Sequence, residues 1–329
     1  PGAGRIRGYT CLTGKGDWKE GIFPLPDALY DRTFLSSNAN RNRYRAAIRR
    51  LLAAKPMLML GRNLKGKWSV YRKLQRDPAL RPFLPETEVL ASCRQLLAWL
   101  QKERRLFLKP DTGTHGKGAV RILAEHNALF HVQARTMDNE RFERTFTHLK
   151  DLWTWLVSFA QGRRYLIQPD LALACSSGEI FDVRSLVQKN GRGRWELTGM
   201  AVRVGQNGSI TSNLHGGGRA EAVLPFLQRE YGLAKARQLV VSIRRLSLRI
   251  PPVLEASGGR LAELGIDFGI DRLGRIWIIE VNSKPGRSIF RELQLEPERK
   301  RAMTNPVAYA RYLLQLGQPA IFGERKRNI

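Results

Sequence analysis

The chain of 329 residues has little cysteine. Cys11, Cys93 and Cys175 are odd in number, scattered and without C-x-x-C spacing, which argues against zinc and against a disulfide framework. That usage fits a reducing, cytoplasmic compartment. No apolar run approaches the ~18 residues of a membrane helix; "KPMLMLG" and "IWIIEV" are the longest candidates, so no membrane span is expected. The first twenty residues hold no apolar h-region and read as free of a signal peptide, and a start at Pro1 reads as a processed, trimmed or partial chain. Acidic residues are scarce: 29 Asp and Glu against 56 Lys and Arg give a net charge of +27. Such an excess points to a polyanionic partner or to a solvated basic surface. The basic residues are not interleaved with an aromatic platform, which disfavours nucleic acid. No Ser/His/Asp or Cys/His arrangement is visible, so a covalent protein nucleophile is not expected.

At ~150 residues per domain, the length suits about two domains. Residues 1–66 read as irregular apart from a helix near 41–54. Helices are expected at 67–76, over "CRQLLAWLQKER", over "HLKDLWTWLVSFAQG", and over "REYGLAKARQLVVSIRRLSLRIPPVLEAS", this last broken by Pro251 and Pro252. "NPVAYARYLLQL" closes the chain as a helix. "RLFLKP" and "AVRILAE" form strands around a glycine loop, which is not the strand–loop–helix order of a Walker A site. "EIFDVRSLVQ" pairs with "RWELTGMAVRVG" around "KNGRGR", and "LAELGIDFGIDRLGRIWIIEVNSKPG" makes another hairpin. Helices interleaved with antiparallel hairpins make the class α+β.

Three clusters carry possible chemistry. If Arg272 and Leu273 centre the last hairpin, Glu280 faces Gly265, which leaves space there, and Asp267 lies diagonal to Glu280 on the face that also holds Asn282. Two carboxylates and a carboxamide oxygen are hard donors suited to Mg²⁺ bridging phosphates. A β-bulge would turn Asp267 off that face; unrelated acids on a solvated strand are the alternative. In the second cluster, Lys109 ends its strand before the loop "DTGTHGKG", where Thr112, Gly113, Thr114, Gly116, Lys117 and Gly118 would cradle phosphate through backbone amides and side-chain donors, or merely form a surface turn. The third is basic: Asp182 and Arg184 share a strand face, Arg203 lies near the end of the partner strand, and "SNLHGGG" follows with Asn213 and His215.

In order, these motifs resemble the ATP-grasp superfamily. "DVR" and "SNLHGGG" are similar to the RimK-like glutamate ligases. "FDVRSLVQKN", "WELTGMAVRVG" and "LGIDFGIDRLGRIWIIEVNSKPG" look closer to the YheC/YheD family, named for the endospore coat. The resemblance spans about 67 to 290. It implies two α+β subdomains clasping ATP, with a lid subdomain over 67–165, a metal-bearing subdomain over 166–329 and a shortened N-terminal region over 1–66. It implies that Lys109 and an upstream lysine, Lys67 or else Lys73, reach the phosphates and that Gln168, Pro169 and Leu171 take the adenine. It further implies that Asp267, Glu280 and Asn282 hold Mg²⁺, two ions being expected, that Arg203 and Asn213 lie near the γ-phosphate and acyl phosphate, and that Arg184 faces the acceptor. The activity implied is an ATP-dependent carboxylate–amine ligase working through an acyl phosphate and releasing ADP and phosphate. A basic, non-catalytic coat or polyanion-binding protein on the same scaffold is the alternative. Only 66 residues precede Lys67, where family members carry a fuller domain.

Overall fold

The computed structural model describes residues 4–11, 16–34, 38–114, 116–125, 129–212, 217–256 and 259–317. The N-terminal region is more regular than its sequence suggests. Strands β1 (Arg5–Cys11) and β2 (Trp18–Pro24) form an antiparallel hairpin, and β3 (Ala28–Leu29) lies parallel to β4 (Leu58–Met59) across α1 (Asn38–Ala54). The amides of Leu58 and Leu60 donate to the carbonyls of Asp27 and Leu29, at 2.8 and 3.0 Å. Leu60 then packs with Ala262, Tyr309 and Leu313, so this segment is fastened to the C-terminal half. Glycines at 8 and 21 and the exposed Tyr9, Trp18 and Ile22 blur the alternation that marks a half-buried strand.

Next come α2 (Lys67–Leu74), β5 (Glu88–Val89), α3 (Cys93–Glu103), β6 (Arg105–Pro110), β7 (Val120–Ala124), β8 (Phe130–Arg135), β9 (Arg141–Phe146), α4 (Leu149–Ala160) and β10 (Tyr165–Pro169). The six strands make one antiparallel sheet in the order β5-β10-β6-β7-β8-β9. Alternation sends Leu106, Leu108 and Ile122 to the face that packs on Leu96, Trp99, Leu152 and Leu156 of α3 and α4. Phe107, Lys109 and Arg121 therefore point the other way.

The chain continues through β11 (Phe181–Lys189), β12 (Trp195–Val204), β13 (Arg219–Glu221), α5 (Val223–Tyr231), α6 (Leu233–Ala256), β14 (Glu263–Ile270), β15 (Ile276–Asn282), α7 (Ser288–Glu292) and α8 (Glu296–Gly317). A second antiparallel sheet runs β13-β12-β11-β14-β15. Val183, Val202, Ile266 and Phe268 pack with Phe226 of α5 and Leu239 and Ile243 of α6. The opposite face presents Asp182, Arg184, Arg203 and Asp267.

Pro251 and Pro252 do not break α6, which runs on to Ala256. An interior proline costs ~3 kcal/mol. Leu246, Ile250 and Leu254 are all buried here, and each such side chain returns roughly 1.5–3 kcal/mol, so packing wins over local propensity.

Candidate active site

The inward faces of the two sheets meet in a cleft lined by Lys67, Lys109, Gln168, Asp182, Asp267 and Glu280, among others. Each wall is set by strand alternation and by a small number of polar locks.

On the first wall, Lys109 is partly buried and donates its ammonium to the carbonyl of Ile279, at 3.1 Å. Burial, reinforced by the nearby Lys67 charge, outweighs Glu280 and Asp267 and pushes this lysine down to about 8. Lys67 opens α2. Its ammonium donates to the Gly113 carbonyl at 2.8 Å and lies 3.3 Å from Glu280. Lys67 lines the cleft, whereas Lys73, on the last turn of α2, does not. Asp111 ties the strand end to this helix: its carboxylate accepts from the Trp68 amide at 2.8 Å and its carbonyl from the Lys67 amide at 2.9 Å. It thus caps α2 from outside the helix. A Cβ on Gly66 would sit 2.5 Å from that carboxylate, so only glycine fits there.

Gly113, Thr114, Gly116 and Lys117 border the cleft; Thr112 and Gly118 do not. Gly118 instead accepts from the Tyr165 hydroxyl at 2.9 Å, with φ +74°, and serves to fold the loop back. Gln168 and Leu171 border the cleft, and Pro169 does not. The Gln168 side-chain oxygen is buried without a hydrogen-bond partner. An orphaned acceptor of this kind fits a ligand N–H such as the adenine amino group. Phe107, Arg121 and Asp170 also line the cleft, with Arg121 Nε 3.0 Å from Asp170. They were missed in the sequence, although Phe107 is two residues before Lys109 and pairs with Arg121 across the strands.

The second wall corrects the expected hairpin register. Asp267 faces Glu280 directly and Gly265 faces Asn282, with a bulge between Asp267 and Phe268 that leaves Ile279 as the extra residue of β15. The loop is five residues, not a tight turn, because the Asp271 carboxylate accepts the amides of Leu273 and Arg275, at 3.0 and 2.9 Å. The bulge does not turn Asp267 away. It aligns the two carboxylates and frees the carbonyl that Lys109 uses.

Both Asp267 oxygens are engaged, by the Arg184 guanidinium and by Arg203 at 2.9 Å. Burial alone would raise this carboxyl; the two arginines outweigh burial and hold it at about 2. Arg203 is itself clamped by Asp182, at 2.7 and 2.5 Å. Asp182 also accepts from Ser212, and burial pushes its carboxyl up against the pull of Arg203. Arg184 and Asn282 border a second cavity that adjoins the cleft at Thr114, Arg203, Asp267 and Glu280. Asn213 and His215 lie outside the described residues.

A sequence model for YheC/D-like ATP-grasp proteins matches residues 57–313, most of the chain. The chain belongs to this family. Across 94% of its length it is 30% identical to the endospore coat-associated protein YheC of Bacillus subtilis (strain 168), covering 84% of that protein. It is 28% identical, again over 94%, to the endospore coat-associated protein YheD of the same organism, covering 67% of it. The α+β, two-sheet arrangement is the ATP-grasp fold, which generally binds ATP and Mg²⁺. Among the described residues no group of three His, Cys, Asp or Glu side chains is placed to hold a metal ion. For Mg²⁺ such a group is not needed, since this ion keeps waters and phosphate oxygens and takes one or two carboxylates. Asp267 opposite Glu280, with Asn282 beside them, is a fitting set of hard donors once Asp267 is released by its arginines. No helix among the described residues is long and apolar enough to cross a membrane.

Proposed function

We propose that this YheC/D-like ATP-grasp protein is an ATP-dependent ligase that joins a carboxylate to an amine. The observation that carries the reading is the meeting of Lys67, Lys109 and the Asp267–Glu280 pair at one cleft from three separated parts of the chain. Lys109 and Lys67 would bind phosphate oxygens in place of the Ile279 and Gly113 carbonyls they now hold. Gln168 would accept from the adenine amino group. Glu280, Asp267 and Asn282 would hold Mg²⁺, which supplies charge neutralisation on the transferring phosphoryl group. A substrate carboxylate oxygen then attacks the γ-phosphorus, the bond to the β-phosphate oxygen breaks, and ADP leaves. The amine nitrogen attacks the acyl carbon, phosphate leaves, and the nitrogen loses its proton. Arg203 and Arg184, freed from Asp267, would donate to the acyl-phosphate oxygens. Asn213 and a second Mg²⁺ belong to the same proposal. The names of its relatives extend it to a substrate or product associated with the endospore coat.

ADP release tested over a panel of carboxylates and amines with Mg²⁺ checks this, with hydroxylamine added to trap the acyl phosphate as a hydroxamate. Failure of every pair, in a protein that melts normally, would sink it. A second reading is favoured by the double arginine hold on Asp267 and by the net charge of +27: a non-catalytic, polyanion-binding coat component. It expects no ADP release, and binding to polyglutamate that weakens steeply with salt.

A further inference from the structure

The second cavity is walled by cations whose counter-charges sit behind them. Arg32 and Lys284 line it together with Arg184, Asn282 and Arg287. Arg32 and Arg287 share one partner, Glu263, which is almost wholly buried. Arg287 reaches it at 2.6 Å, and Arg32 also donates to the Pro285 carbonyl at 2.7 Å. The Tyr30 hydroxyl donates to the same carboxylate and touches both guanidiniums. Lys284 is held by Asp31 at 2.7 Å and by the Thr33 carbonyl at 3.0 Å.

Two features make this a built anion site. Two guanidiniums on one carboxylate leave a positive charge unmatched. Glu263 also fixes both from the rear, so their remaining N–H donors need no reorganisation to meet a ligand, and a guanidinium has five. One donor, Arg287 Nε, is buried without a hydrogen-bond partner. Gly265 lets Pro285 of the cavity wall pack close on the sheet, since a Cβ there would come 2.6 Å from it. The cavity meets the nucleotide cleft where Arg203, Asp267 and Glu280 stand. An acid with one carboxylate at that junction would have its remainder lying against Arg32 and Arg287.

We propose that this cavity selects a substrate with two acidic groups: one is activated at the Arg203–Glu280 junction, and the other, a carboxylate or a phosphate-type group, is gripped by Arg32 and Arg287. The inference rests on the ligase reading for the role of the first group. It assigns the second to an arginine supplied by the N-terminal segment, which thereby completes the acceptor site. Arg32 and Arg287 are then specificity determinants, and Glu263 and Tyr30 are positioning residues.

The test uses the whole chain with ADP and Mg²⁺ and measures affinity by thermal shift and calorimetry. The probes are glutarate, 3-phosphonopropionate and, as the single-charge control, butyrate. Glutarate or the phosphonate is expected to bind at least about tenfold more tightly than butyrate, the worth of one charge-assisted hydrogen-bonded contact; which of the two wins identifies the second group. Arg32→Gln should erase that preference, leave butyrate and ADP affinities unchanged, and recover in part as Arg32→Lys. If Arg32→Gln does not fold, Arg287→Lys takes its place, and the wild-type comparison needs no variant. Equal affinity for all three probes in wild type would overturn the inference, as would an unchanged preference in folded Arg32→Gln. Tight glutarate binding without ADP formation from any substrate pair would uphold this site while removing the ligase reading.

Discussion

The ammonium of Lys109 and the carbonyl of Ile279 are 3.1 Å apart, and this single contact bridges the two sheets. It exists because of one extra residue: the bulge at Ile279 turns that carbonyl out of the ladder and, in the same step, sets Glu280 opposite Asp267. The site is thus closed on itself through groups that a nucleotide would claim.

Asp111 should be tested first, because it joins three parts of the first wall. Asp111→Ala removes the acceptor for the Trp68 amide and should cost about 1 kcal/mol in denaturant unfolding. Gly66→Ala forces a Cβ against the same carboxylate and should cost about 1–3 kcal/mol. Both should weaken ATP binding by displacing Lys67 and the glycine loop. Full ATP affinity in either variant would separate the cap from the site.

Lys109 predicts a pH dependence with a definite sign. Its folded value of about 8 lies below that of a free lysine. Between the two, the unfolded chain binds more protons, so stability rises with pH from about 8 upward. Below about 8 the burial penalty is fully present. Lys109→Met removes the titrating group, so the difference between wild-type and variant stability should change across pH 8–10 in favour of wild type. A constant difference would mean that Lys109 is not desolvated in solution.

Much of this site can be read from strand alternation. Lys109, Asp182, Arg184, Asp267 and Glu280 all fall on the face that a period of two assigns to them, because each has a neighbour that goes to a core: Leu108, Val183 for both Asp182 and Arg184, Ile266 with Phe268, and Val281. What alternation does not carry is register. The Asp271 carboxylate, by capturing two amides, lengthens the loop, and Ile279 adds a residue to one strand. Both are side-chain or backbone choices with no hydrophobic signature. Contacts such as Arg32 to Glu263, 231 residues apart, have no local signal at all. The unbroken α6 differs from the expected break for the opposite reason, since burial of Leu246, Ile250 and Leu254 overrides the local signal of Pro251 and Pro252, while the N-terminal hairpin has no buried face to mark its alternation.

Gln168 separates recognition from stability. Its side-chain oxygen has no partner, so Gln168→Met should leave unfolding unchanged or stabilise by about 1 kcal/mol. If that oxygen accepts from the adenine amino group, wild type should prefer ATP to inosine triphosphate, and the variant should lose about tenfold of that preference. An undiminished preference would place adenine recognition elsewhere.

Asp267 makes the sharpest demand on the metal assignment. Its two oxygens face Arg184 and Arg203, and those charges hold the carboxyl near 2. A divalent cation must compete with both guanidiniums for the same lone pairs. Free Mn²⁺, a spectroscopic substitute for Mg²⁺, should therefore bind weakly without nucleotide. Arg184→Gln removes one competitor and keeps hydrogen-bonding capacity, so Mn²⁺ should bind about tenfold or more tightly in that variant, read by electron paramagnetic resonance. The gain should vanish in Arg184→Gln combined with Glu280→Gln, because the facing carboxylate is then lost. ADP formation should fall in the single variant despite tighter metal binding, since Arg184 is assigned to the acyl phosphate. Because Asp267 is buried, removing Arg184 also costs stability, and that cost should grow as pH rises from about 2 through the ordinary aspartate range and level off above it, where the carboxylate is charged in both states. Mn²⁺ affinity equal to wild type in a folded Arg184→Gln protein would show that Asp267 is not a metal ligand, and the double arginine hold would then be a structural lock.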